Sequence, residues 1–235
     1  MSNNKRVGNI LACGCSYTNG NVFQRNIKEF WPELLAKDLG LGCINAGVSG
    51  IGNDKIFNET VRILTDKSSL YYNYNIELVV ILWSEMFRIS ILNNMFSDDR
   101  QFSVQTFVRN LFKNEVKKAK WVDKFIFNYF SNIEIIDRLC KKYEVKILMG
   151  QGLSFESEEG EYFYEKFADA VTSFKPKYFI GWPIIPQLGG YALQDSDQEL
   201  AKQENWVSDT DAHPNEKGHR IIADEFLKKY KEVYY

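Results

Sequence analysis

The chain has 235 residues, with 29 Lys and Arg against 31 Asp and Glu, so it offers no broad basic field for nucleic acid or an anionic membrane. That length supports one sizeable core without requiring a second domain, and a single domain over 1–235 is expected. Its four cysteines form no C-x-x-C pair, the N-terminus lacks a signal-peptide pattern, and no apolar run approaches the roughly 20 residues that cross a bilayer. Reduced thiols, a cytoplasmic setting and no membrane span are therefore expected.

Taken in chain order, strand-like apolar runs alternate with longer helical patterns. Residues 7–13 read as a first strand, and 29–39 as a helix that Gly40 closes, since glycine accepts left-handed backbone at a helix end. A short second strand at 42–45 leads into the glycine-rich loop "AGVSGIGND" and a helix over 54–65 with Asp54 as its N-cap. The run "ELVVILW" at 77–83 is continuously apolar, as in a strand covered on both faces. A helix over 122–143 precedes a strand at 145–150, and a helix over 160–174 precedes a fifth strand at 177–182. The last helix spans 214–230, with Pro214 in its first turn. This alternation predicts an α/β protein: a three-layer α/β/α sandwich around a mostly parallel five-stranded sheet.

Two stretches stand outside the alternation. Residues 87–120 read as extra helices forming a cap or contact insertion, and 183–206 as a long irregular connection. Aromatic segments such as "FIFNYF" and "EYFYEKF" read first as core packing and helix faces, and second as a contact surface for sugars or another protein.

Ligands of an open parallel sheet sit beyond the carboxyl ends of its strands. The turn "GCSYTNG", the loop "NAGVSGIGND" and the segment after Trp83 all follow predicted strands, so they meet at one edge. The first of them holds two candidate nucleophiles, Cys15 and Ser16. A serine hydroxyl needs a base within hydrogen-bond reach and a third group to orient that base. The chain has two histidines, His213 and His219, both within "DTDAHPNEKGHRIIADEF". His213 precedes the last helix with Asp209 and Asp211 beside it; His219 falls inside that helix on a different face and reads as packing or a surface contact. A reactive Cys15 requires an exposed, electropositive setting, and a small buried residue is the default. A metal site built from Asp209, Asp211, His213 and His219 is disfavoured because all four ligands crowd into one segment.

These blocks resemble the SGNH hydrolases, also called GDSL-type esterases and lipases, particularly divergent members encoded by tailed bacteriophages. "GCSYTNG" is similar to the family's first block, "NAGVSGIGND" to its second and "HPNEKGH" with the preceding aspartates to its last, in the family's order. The GxSxG elbow of the α/β-hydrolases does not match, because Thr18 stands where that motif needs glycine. The resemblance implies the flavodoxin-like SGNH fold, Ser16 as nucleophile with Cys15 in place of the family's aspartate, and His213 as general base. It also implies an oxyanion hole from the amides of Ser16 and Gly50, with no metal and no cofactor.

Two departures accompany the match. The family's aspartate position, three residues before the histidine, is Thr210, so Asp211 takes that role, or Asp209, or a backbone carbonyl. The third block reads "LWSEMFR", with Glu85 where the family has an asparagine donor; Glu85 then points elsewhere, toward Arg88, and Asn53 or Ser84 supplies the donor. The implied activity is hydrolysis of an ester through an acyl-enzyme, with a small-molecule or glycan ester, for example an O-acetylated carbohydrate, as substrate. The departures motivate an alternative, a binding or virion-structural protein on the same fold with a virion or self-association partner.

Overall fold

A computed structural model describes residues 8–19, 27–68, 74–86, 88, 115–154 and 157–235, with backbone alone at 115–122, 157–160, 162 and 163. The apolar runs become strands of one sheet: β1 (Asn9–Gly14), β2 (Gly42–Asn45), β3 (Ile76–Trp83), β4 (Lys146–Gln151) and β5 (Phe179–Ile180). Their order is β2-β1-β3-β4-β5 and every pairing is parallel. This is the flavodoxin-like order, in which the winding reverses between β1 and β3 and opens a crevice at their carboxyl ends. Leu78 through Trp83 are fully buried, as the continuous apolar run requires for a strand covered on both faces.

The helices are α1 (Ser16–Asn19), α2 (Trp31–Leu39), α3 (Asn53–Thr65), α4 (Glu115–Lys142), α5 (Ser157–Ser173) and α6 (Glu216–Tyr234). On one face α2 packs against α6, where the Trp31 and Phe226 rings stack with centroids 5.0 Å apart. On the other, α3 and α4 cover the sheet, and Tyr129 of α4 meets Trp83 edge to face at 5.6 Å. Each such fully buried side chain contributes about 1.5–3 kcal/mol relative to exposure. The Phe130, Phe174, Phe179 and Trp182 rings form a further cluster with Trp182 at 5.1–5.7 Å from each of the others; Phe179 is buried and the other three are half-buried against the core.

Several boundaries move for local reasons. The helix after the glycine-rich loop starts at Asn53 and its N-cap is Gly52, so Asp54 is not the cap; it lies in the first turn, where a negative charge suits the exposed amides. The last helix starts at Glu216, capped by Asn215, whose Oδ1 accepts from Gly218 N at 3.1 Å. Pro214 therefore belongs to the strand before the helix, not to its first turn. The connection at 183–206 holds three short 3-10 turns, at Pro186–Leu188, Glu199–Ala201 and Gln203–Asn205. It leads into an antiparallel hairpin of β6 (Trp206–Ser208) and β7 (Asp211–Pro214), where the sequence suggests only loop. The helix α4 begins at Glu115, inside the segment expected as an insertion; the rest of 87–120, Arg88 apart, and the N-terminal end of the first predicted strand at Val7 lie outside the described residues. Gly40 closes α2 as expected, in left-handed backbone at φ 69°.

Candidate active site

The site begins where β1 ends. The chain turns at Cys15 into α1, and the amides of Thr18 and Asn19 both donate to Cys15 O at 3.0 Å. A side chain at Gly14 would strike Thr18 and approach Leu82 O at 2.9 Å, so only glycine lets the strand turn this tightly. Since β1 pairs with β3 at Gly14 and Leu82, Ser16 and Ser84 leave the sheet abreast, at the switch point between the two strands.

The hairpin delivers the partners of Ser16. His213 Nε2 lies 2.9 Å from Ser16 Oγ, and His213 Nδ1 lies 2.5 Å from Asp211 Oδ1. Successive residues of a strand point to opposite faces, so Asp211 and His213, two apart on β7, share one face. That alternation is why the carboxylate stands two residues before the histidine, while Asp209 and Thr210 occupy the exposed turn. Burial acts to raise the Asp211 pKa, but the hydrogen bonds from the His213 ring and from its amide, the latter at 3.1 Å, outweigh it and hold the carboxyl below its usual range.

Tyr17 ties the two halves together. Its hydroxyl donates to Ala212 O at 2.7 Å and accepts from Gln194 Nε2 at 2.6 Å, and its ring lies 5.3 Å from that of His213. Burial raises its pKa most strongly, so the group remains a neutral phenol able to donate. Neither Tyr17 nor Gln194 stands out in the sequence; the adjacency of Tyr17 to Ser16 was the one signal available.

The glycine-rich loop is laid against the turn at Ser16. Ala46 N donates to Ala12 O at 2.8 Å, Val48 N to Gly14 O at 3.0 Å and Asn45 Nδ2 to Thr18 O at 2.9 Å. The side chains of Asn19 and Ser49 meet at 3.2 Å. Gly50 follows in left-handed backbone at φ 79°, exposed and facing open space. Among the described residues the amides of Ser16 and Gly50 have no hydrogen-bond acceptor.

The segment after β3 is held differently from expectation. Asn53 Nδ2 donates to the carbonyls of Ser84 at 3.3 Å and Glu85 at 3.0 Å, while its Oδ1 accepts from Ser84 N at 2.9 Å. Gln151 Nε2 donates to Ser84 O at 2.6 Å and its Oε1 accepts from Tyr129 Oη at 2.5 Å. The side chains of Asn53 and Ser84 are buried, at 4% and 0% exposure, so neither presents a donor to the crevice. Arg88 directs Nη1 to Ser84 Oγ at 3.3 Å. Glu85 is itself 8% exposed, with its main-chain carbonyl accepting from Arg88 N at 3.0 Å.

Among solved structures, the chain is similar to a protein assigned to the lipolytic G-D-S-L family from Desulfitobacterium hafniense DCB-2, with a TM-score of 0.50 and 11% identity over 94% of this chain and 98% of that one. The chain has the SGNH hydrolase fold. A protein assigned as an SGNH hydrolase from Slackia heliotrinireducens aligns over 95% of this chain and 99% of its own at 13% identity, with a TM-score of 0.43. No family model and no curated protein sequence matches the chain.

Within the SGNH hydrolase fold, two further residues find their places. Cys15 is 1% exposed, enclosed in the core rather than presented beside Ser16. His219 is fully buried, its ring edge-on to Phe30 at 5.1 Å, so it packs between α2 and α6 and does not join the cluster around His213. Burial, and next the charge of His213, push its pKa down to about 3.

Proposed function

We propose that the chain is a serine esterase of the SGNH type, working through an acyl-enzyme on an ester such as an O-acetyl group of a carbohydrate. The observation that carries this reading is the continuous contact from Ser16 Oγ to His213 Nε2 at 2.9 Å and from His213 Nδ1 to Asp211 at 2.5 Å. A hydroxyl is weakly nucleophilic at neutral pH, and a base at this distance removes its proton as the bond to carbon forms.

In the proposed sequence Ser16 Oγ attacks the ester carbonyl carbon while its proton passes to His213 Nε2. The carbonyl oxygen becomes an oxyanion and receives hydrogen bonds from the Ser16 and Gly50 amides. Collapse breaks the bond to the alcohol oxygen, which takes the proton from His213 and departs. Water then repeats the cycle: it gives a proton to His213, attacks the acyl carbon and releases the carboxylic acid, with the proton returning to Ser16. Asp211 holds the imidazole in the tautomer that leaves Nε2 unprotonated and stabilises the imidazolium that follows. An acetyl group is a small acyl group, and among the described residues the space that a side chain at Gly50 would enter holds no other atom.

The test is intact-mass labelling of the purified protein with a fluorophosphonate at neutral pH, with Ser16→Ala and Cys15→Ser beside it. One adduct that is lost in Ser16→Ala and kept in Cys15→Ser is the expected result. No adduct in the folded wild-type protein overturns the esterase reading and favours a binding module on the same fold.

A further inference from the structure

We propose that Arg88 is a catalytic residue of this site, its guanidinium donating to the oxyanion formed when Ser16 attacks an ester carbonyl; this rests on the esterase reading above. The placement follows from the sheet register. Gly14 pairs with Leu82, so Ser16 and Ser84 emerge side by side, and Arg88 folds back to put Nη1 3.3 Å from Ser84 Oγ. The segment that carries Arg88 thereby starts abreast of the turn at Ser16.

Its surroundings call for an anion. Arg88 is half-buried and makes no ion pair among the described residues; its one side-chain partner there is a neutral hydroxyl. A cation partly removed from water without a countercharge is unfavourable, and the imbalance disappears when negative charge develops beside it. A guanidinium carries five N–H donors, so the bond to Ser84 leaves others for a ligand. The positive charge also reaches the nucleophile's neighbour, since Arg88 favours the ionised form of the Tyr17 hydroxyl.

The neighbouring donors leave this role open. Asn53 gives both amide hydrogens to main-chain carbonyls, and Ser84 is enclosed. The main chain of Arg88 is also tied down at both ends: Asn53 N donates to Arg88 O at 3.1 Å and Arg88 N to Glu85 O at 3.0 Å. Donors fixed before the reaction stabilise a developing charge without reorganising, which is the property an oxyanion site needs.

The experiment compares wild type with Arg88→Gln, Arg88→Lys and Arg88→Ala, using neutral 4-nitrophenyl acetate and the anionic mono-4-nitrophenyl ester of succinic acid. Arg88→Gln is expected to lower kcat about a hundredfold or more on the neutral ester with KM within about twofold, and to slow fluorophosphonate labelling in parallel. Arg88→Lys retains part of the rate, and guanidinium ion added to Arg88→Ala restores part of it, a response that a merely structural arginine does not give. Unchanged labelling and turnover in the variants, with wild type reacting at Ser16, overturns the role of Arg88 alone. A loss confined to KM for the anionic ester also overturns it, and makes Arg88 a clamp for a substrate carboxylate. Failure of wild type to label or turn over overturns the esterase reading itself, and the role of Arg88 with it.

Discussion

Replacing Asp211 by Asn separates the charge of that residue from its shape. The amide keeps an acceptor oxygen and fits the same space, but it removes a negative charge 2.5 Å from His213 Nδ1. When His213 takes the proton of Ser16, the imidazolium and the carboxylate attract across about 4 Å between charge centres. That attraction amounts to about 1 kcal/mol in bulk water and about 4 kcal/mol at an effective dielectric constant near 20. The two side chains are 25% and 29% exposed, which places the site nearer the second limit, so a loss of about 2–4 kcal/mol is expected. In rate this is roughly a thirty- to a thousandfold drop in acylation. An Asn that presents its NH2 to Nδ1 adds to the loss by favouring the wrong tautomer. The assay is the second-order rate of fluorophosphonate labelling, with kcat on 4-nitrophenyl acetate beside it. Asp209→Asn serves as the comparison: that residue sits in the exposed turn, and its removal is expected to change the rate by less than about threefold. A labelling rate in Asp211→Asn within about threefold of wild type, or a larger loss in Asp209→Asn, refutes the assignment.

Two further outcomes follow from packing and burial. A methyl group at Gly47 would come within 2.6 Å of Asn19 N and 2.8 Å of Thr18 C, both main-chain atoms that cannot swing aside. Gly47→Ala should therefore displace α1, destabilise by about 1–3 kcal/mol and slow labelling of Ser16; unchanged Tm and labelling rate contradict this. His219 is held neutral in the folded protein, with its pKa moved from 6.5 down to about 3, so the unfolded chain binds a proton that the fold refuses within that window. The stabilisation is complete above pH 6.5 and is lost as pH falls toward 3, at up to about 1.4 kcal/mol per pH unit. Denaturant midpoints at several pH values should show a shallower acid slope in His219→Leu than in wild type, and equal slopes would remove His219 as the cause.

The sheet was legible because its strands are buried on both faces, which leaves long apolar runs such as Leu78 to Trp83 as an unambiguous signal. The turn at Ser16 was legible because Gly14, Cys15 and a hydroxyl follow directly on an apolar strand, and the partner histidine because the chain offers two histidines and one of them is inside a helix. The hairpin was hidden for the opposite reason. Its strands have three and four residues, and "WVS" and "DAHP" carry no alternation long enough to read. Missing the hairpin left the aspartate ambiguous, since the two-residue spacing of Asp211 and His213 has meaning only when both lie on a strand. The helix start at Asn53 was misread because Asp54 is a good cap in isolation, whereas the loop places glycine at that position and turns the Asn53 side chain toward Ser84.

The altered third block reads differently once that turn is seen from inside. A buried amide or hydroxyl without partners is costly, and a set of them is tolerated only when each is satisfied. Asn53, Gln151 and Tyr129 come from three separate elements, α3, β4 and α4, and their side chains converge on the two residues that follow β3 or on one another. The fold would accept apolar groups at such positions, as it does at Ile56, Ile126 and Leu148 nearby on the same elements. What the polar set adds is direction: it fixes which way the main chain leaves β3 and hence where residue 88 stands relative to Ser16. A single asparagine reaching into the crevice needs no such support, because its short side chain follows the main chain closely. A long arginine needs a rigid base and a hydroxyl to rest against, and Ser84 Oγ supplies the second at 3.3 Å. In the proposed role of Arg88, the buried network is the physical condition that keeps so long a side chain in place.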